Sequence, residues 1–88
     1  MTATIVENSA FMLFPNPADN RIYIEVKGMT NYDQVSVNLY DMLGRAIQQL
    51  SLSAGKATVD VSGLAQGVYS AVLVKDGLRI GARTFVKS

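Results

Sequence analysis

Four carboxylates, Asp33, Asp41, Asp60 and Asp76, stand beside turn-forming residues. Two acids flanking a sugar can hydrolyse a glycosidic bond. Acids beside turns more often accept hydrogen bonds from their own backbone, and that reading fits these positions. A second oxygen-rich stretch holds Asn16, Asp19 and Asn20. Such oxygens suit calcium, but the spacing lacks the regular alternation of an EF-hand loop, and the same residues specify a turn. Cations recur every four residues at Lys75, Arg79, Arg83 and Lys87. An even spacing puts Arg79, Arg83 and Lys87 on one face of a strand. Charges on a last strand deter edge-to-edge pairing. They also form a recognition strip if Phe85 and Val86 supply its apolar part. The chain contains no histidine and no cysteine. That removes the usual general base near neutral pH, the thiol nucleophile and the commonest metal ligands. No glycine-rich loop cradles a phosphate. The residues therefore point to no enzyme, no catalytic group, no metal and no cofactor.

The elements that carry these residues follow from a period of two. From Arg21 to Lys27, Ile22, Ile24 and Val26 alternate with Tyr23 and Glu25, which marks a half-buried strand. Val35, Val37 and Leu39 repeat the pattern from Gln34 to Tyr40. A weaker strand runs from Arg45 to Leu52, with Ile47 as its inward anchor. Another runs from Lys56 to Val61, with Ala57, Val59 and Val61 inward. Val68 to Lys75 is the most apolar run and reads as a central strand. Asp76-Gly77 is a type I′ hairpin turn leading to a strand from Leu78 to Val86. The turn pairs Val74 with Arg79 and Leu73 with Ile80. Ile80, Ala82 and Thr84 then face the core, and Phe85 faces solvent unless a bulge re-aims it. Gly81 is a site for such a bulge.

Phe11 to Phe14 is a short apolar strand that Pro15 and Pro17 must end, because each fixes φ and removes a donor. With turn signals every eight to twelve residues, the pattern specifies an all-β, seven-stranded antiparallel Ig-like sandwich. Its expected core is Ile22, Ile24, Val35, Val37, Leu39, Val59, Val61, Leu64, Tyr69 and Leu73. Residues 1–10 read as a linker or loose edge strand, and residues 11–88 as one domain. The net charge of +1 gives no strong attraction to nucleic acid or anionic membrane. No apolar run is long enough to cross a bilayer as a helix. The first eight residues carry neither a basic n-region nor a long apolar h-region, so an export signal is expected upstream in a longer protein.

Three local signatures punctuate the strands. Phe14-Pro15-Asn16-Pro17 ends the first. Tyr40-Asp41-Met42-Leu43-Gly44-Arg45 joins two others, with Gly44 free to take positive φ. Leu64-x-x-Gly67-x-Tyr69 has the form of a tyrosine corner, in which the hydroxyl turns back to an upstream backbone group. In this order, and followed by a hairpin and a basic final strand, they resemble the type A C-terminal sorting domains of the type IX, or Por, secretion system of Bacteroidetes. The resemblance covers about residues 12–88.

That resemblance implies a sorting signal behind an N-terminal cargo domain. The cargo passes through the periplasm and crosses the outer membrane, to be secreted or held at the cell surface. The implied partners are the secretion machinery, including an outer-membrane shuttle protein, and a sortase-like cysteine protease. The protease cuts at or before residues 1–10, and the cargo is joined to anionic lipopolysaccharide. The implied recognition strip is Arg79, Arg83, Phe85, Val86 and Lys87. The alternatives are an Ig-like carbohydrate-binding module, with Tyr23, Tyr32 and Tyr40 as scattered aromatics, or a structural module that self-associates through an edge strand.

Overall fold

Alternation along the strands becomes two apposed sheets. In the computed structural model, residues 10–29 and 34–88 are described. Asp33 and Tyr32 lie outside them, as do residues 1–9. The strands are β1 (Ala10–Phe14), β2 (Arg21–Lys27), β3 (Val35–Tyr40), β4 (Ala46–Ser51), β5 (Lys56–Asp60), β6 (Gly67–Lys75) and β7 (Leu78–Lys87). A three-stranded sheet has the order β1-β2-β5, and a four-stranded sheet has the order β4-β3-β6-β7. All ladders are antiparallel. The result is a seven-stranded antiparallel sandwich of two sheets.

Inward residues of both sheets fill the space between them. Ile22, Ile24 and Val26 of β2 meet Val35, Val37 and Leu39 of β3, and all six are buried. Val59, Val61, Tyr69 and Leu73 join them, with Leu64 packed partly buried at the margin. β6 lies inside its sheet, between β3 and β7, and its central residues Ala71, Val72 and Leu73 are buried. At the β6–β7 turn Asp76 has φ of 53° and Gly77 of 81°, the two positive angles a type I′ turn demands.

Two bulges change the expected facing of side chains. In β4, Leu39 pairs with Gln48 and Tyr40 with Ala46, which leaves Ile47 as the extra residue. Ile47 is 39% exposed and is not the inward anchor that its sequence position suggests. In β7, Val74 pairs with Arg79 as expected, but Leu73 pairs with Gly81 rather than Ile80. Ile80 is the extra residue, so parity flips from there onward. Ala82 and Thr84 turn outward, and Phe85 turns into the core at 1% exposure. The physical reason is the difference in burial. A regular ladder would bury a methyl and a hydroxyl while exposing a phenyl ring. The bulge buries the ring, which contributes about 1.5–3 kcal/mol over leaving it exposed. Gly81 sits against the Phe11 ring, where an added Cβ would make van der Waals contact at 3.4 Å.

Candidate functional site

The turn after β3 is built by one carboxylate. Asp41 Oδ1 accepts from the backbone amides of Leu43 at 2.9 Å and Arg45 at 3.0 Å. Its Oδ2 accepts from Arg45 Nε at 2.8 Å. Gly44 closes the turn with its amide on Asp41 O at 3.0 Å and with φ of 82°. The tip presents Met42 and Leu43, 75% and 78% exposed. The Arg45 amide, aided by the Arg45 guanidinium and the Leu43 amide, holds the Asp41 carboxyl below the ordinary carboxylate range. At the turn after β5, the Ser62 hydroxyl and amide do the same for Asp60, at 2.7 and 2.9 Å.

Both folded-state values lie below the unfolded ones. Each carboxylate therefore contributes stability above the unfolded pKa of about 3.9, and that contribution fades as pH falls through the lower folded value. The melting temperature should fall on acidification below about pH 4. The double variant Asp41→Asn, Asp60→Asn should show a shallower acid slope. Equal slopes in parent and variant would remove these two turns from the acid response.

The second signature is a corner between the sheets. Tyr69 is 8% exposed, and its hydroxyl donates to Ala65 O at 2.6 Å. Its ring stacks on Phe85, with centroids 5.5 Å apart and planes 21° apart. The corner and the last strand are therefore one packed unit.

The third signature fastens the first sheet to the last strand. Both of its X–Pro bonds, Phe14–Pro15 and Asn16–Pro17, are cis. Asn16 Oδ1 accepts from Val86 N at 2.9 Å, and Asn16 Nδ2 donates to Thr84 O at 3.5 Å. Ala18, fully buried, donates to Val86 O at 2.7 Å and accepts from Ser88 N at 2.9 Å. The Ser88 hydroxyl donates to Asp19 Oδ1 at 2.6 Å. Of the residues the sequence offers as calcium ligands, Asn16 and Asp19 thus engage the chain's own last residues through their side-chain oxygens, and Asn20 accepts from Val61 N at 2.9 Å through its backbone carbonyl. Among the described residues no group of three or more His, Cys, Asp or Glu is placed to hold a metal ion.

The residues of the basic strip do not share one face. Arg79 lies outward beside Val74, at the end of a groove of about 590 Å³ along the outer face of β6 that reaches Tyr40 and Met42. Arg83 shares the inward parity of Phe85. From the rim of the sandwich its Nε donates to Phe11 O at 2.8 Å, tying β7 to β1. Phe85 is core, not an exposed anchor. Val86 is outward and 42% exposed. Lys87 is half-buried, with Nζ on Ser88 O at 2.9 Å. The bulge at Ile80 is what separates Arg79 from Arg83. Sequence reasoning raised a bulge only as an option and put it at Gly81, one residue further on, because hydropathy on an edge strand does not fix where an extra residue falls. The Asn16 bonds carried no sequence signal beyond the turn residues themselves.

This geometry defines a small two-sheet β-sandwich whose three signatures form its turns and corner. Residues 12–87 match the family described as the secretion system C-terminal sorting domain, and the chain belongs to that family, the non-catalytic tail of the type IX secretion system. Among curated proteins no match is found. Proteins with this tail are associated with the type IX pathway and with the outer membrane or cell surface of Bacteroidetes.

Proposed function

We propose that residues 11–88 direct a cargo, joined ahead of them, across the outer membrane through the type IX machinery. The observation that supports this most is the family match over residues 12–87, whose three signatures each build a defined piece of the sandwich. In this reading the stretch ahead of β1 is the linker in which a sortase-like cysteine protease cuts, and the released cargo is attached to anionic lipopolysaccharide. An outer-membrane shuttle protein is the receptor. Self-association, if the domain uses it, falls to the uncharged edge of β4. A reporter ending in residues 1–88 tests the proposal by its partition between periplasm and cell surface.

Within the final strand, the outward residues Arg79 and Val86 are the ones we assign to recognition. Arg83, Phe85 and Lys87 support them from the rim and the core. Changing Arg79 and Val86 together to Ser should lower export with a change in folding stability of less than about 1 kcal/mol, since both are exposed. The check pairs a surface-to-periplasm ratio with a denaturant midpoint. Full export from the folded double variant would move recognition to another surface, the Met42-Leu43 tip first.

A further inference from the structure

β7 has no strand neighbour along the edge facing away from β6, yet its terminal backbone groups there are taken. Four edge groups of residues 84–88 are bonded to the β1–β2 connection, and the Arg83 side chain ties the strand to β1 beside them. Arg83 Nε reaches Phe11 O at 2.8 Å, and Asn16 bonds Thr84 O and Val86 N at 3.5 and 2.9 Å. Ala18 bonds Val86 O and Ser88 N at 2.7 and 2.9 Å. A carboxamide carries one donor group and one acceptor, as a peptide unit does. Asn16 therefore stands in for a missing strand with its side chain, and Ala18 continues the pairing with its backbone, bridged in parallel to Lys87.

A strand offers three surfaces to a partner: its edge and its two faces. Along residues 84–88 the edge is held by residues 16–19 and the inner face is committed to the core through Phe85. Only the outward side chains remain, among them Thr84 and Val86. Strand addition by a partner would have to displace the bonds made by Asn16 and Ala18.

We propose that Asn16 is a positioning residue for sorting, which holds residues 84–88 extended so that the secretion machinery meets their outward side chains and not the strand edge. This inference rests on β7 being the recognised element. The carboxamide matters as such. A carboxylate keeps the acceptor for Val86 N but offers no donor to Thr84 O.

The test uses the 88-residue chain for amide exchange and the same chain fused behind a reporter for export. Asn16→Ala should speed exchange at Val86 by about tenfold, the expected result of losing one such hydrogen bond, and leave β2 and β3 protected. Its export should fall several-fold. Asn16→Asp should restore much of the protection at Val86 and part of the export. Ser88→Ala, which removes only the hydroxyl bonds to Ala18 O and Asp19 Oδ1, should shift both readouts in the same direction by less. Ile24→Val, a core change in the other sheet, controls for lost stability and should export like the parent. Unchanged or increased export in Asn16→Ala, with Val86 exposed to exchange, overturns the positioning role, and an increase means that the machinery pairs with the edge itself. Unchanged exchange at Val86 also overturns it. Equal losses in Ile24→Val and Asn16→Ala reduce Asn16 to a general stabiliser and overturn it as well. If the parent fusion itself stays in the periplasm, the sorting reading fails rather than the positioning one.

Discussion

Phe85→Ala should destabilise the domain by about 3–5 kcal/mol, the cost of truncating a large aromatic in a core. The ring is 1% exposed and stacks on Tyr69 at 5.5 Å, so its loss opens a cavity between the last strand and the corner. A domain of this size has only about 5–10 kcal/mol in all. The variant should therefore be substantially unfolded or aggregation-prone at growth temperature. Phe85→Leu should retain most of the stability, because it fills much of the same volume. Urea unfolding of parent and variants measures both. A loss below about 1 kcal/mol for Phe85→Ala would show that the ring is at the surface and that β7 runs without its bulge. The burial also governs how truncations are interpreted. Removing residues 84–88 takes away a core ring as well as the chain end, so lost export from that deletion reports unfolding as much as lost recognition. Outward substitutions at Arg79 and Val86 separate the two.

Tyr69→Ala should cost a similar amount, again about 3–5 kcal/mol, for the same reason of buried aromatic volume. Tyr69→Phe isolates the hydroxyl. The bond to Ala65 O at 2.6 Å is partly buried, and losing it should cost about 0.5–1.5 kcal/mol. The separation between the two variants is the diagnostic quantity. Equal, small shifts in denaturant midpoint for both would mean that Tyr69 closes no corner. Because Tyr69 and Phe85 touch, the double alanine variant should lose less than the two single losses added together.

Much of the fold was legible because strand alternation is a strong, local signal. Ile22, Ile24 and Val26 in β2, and Val35, Val37 and Leu39 in β3, needed only a period of two to be placed inside. Asp76-Gly77 announced its turn through the positive φ that both positions require. The bulges were harder. Ile47 and Ile80 are apolar residues at strand positions, and nothing local says that each is the unpaired extra one. That choice is made by the rest of the core, which prefers Phe85 over Thr84 inside. Parity after Ile80 thus depends on residues far away in sequence, and with it the facing of Arg83 and Lys87.

The site divides in the same way. Asp41 and Gly44 form a closed local motif, and its turn could be read from four or five adjacent residues. Asn16 could not be read so, since its partners Thr84 and Val86 are 68 and 70 residues away. A Pro-Asn-Pro sequence signals a strand end and a turn. That its side chain then completes the edge of the last strand is a property of the topology, which brings the β1–β2 connection alongside β7. Ala18, small and fully buried, fits there for the same reason.

The most direct measurement is the fate of a periplasmic reporter carrying residues 1–88 at its C-terminus in a Bacteroidetes cell with an intact type IX machinery. The reporter should leave the periplasm and appear on the cell surface or in the medium. It should remain periplasmic when the machinery is disabled, and also when Phe85→Ala unfolds the domain. A reporter that stays in the periplasm behind a folded parent domain, or that reaches the surface without the machinery, would contradict the account.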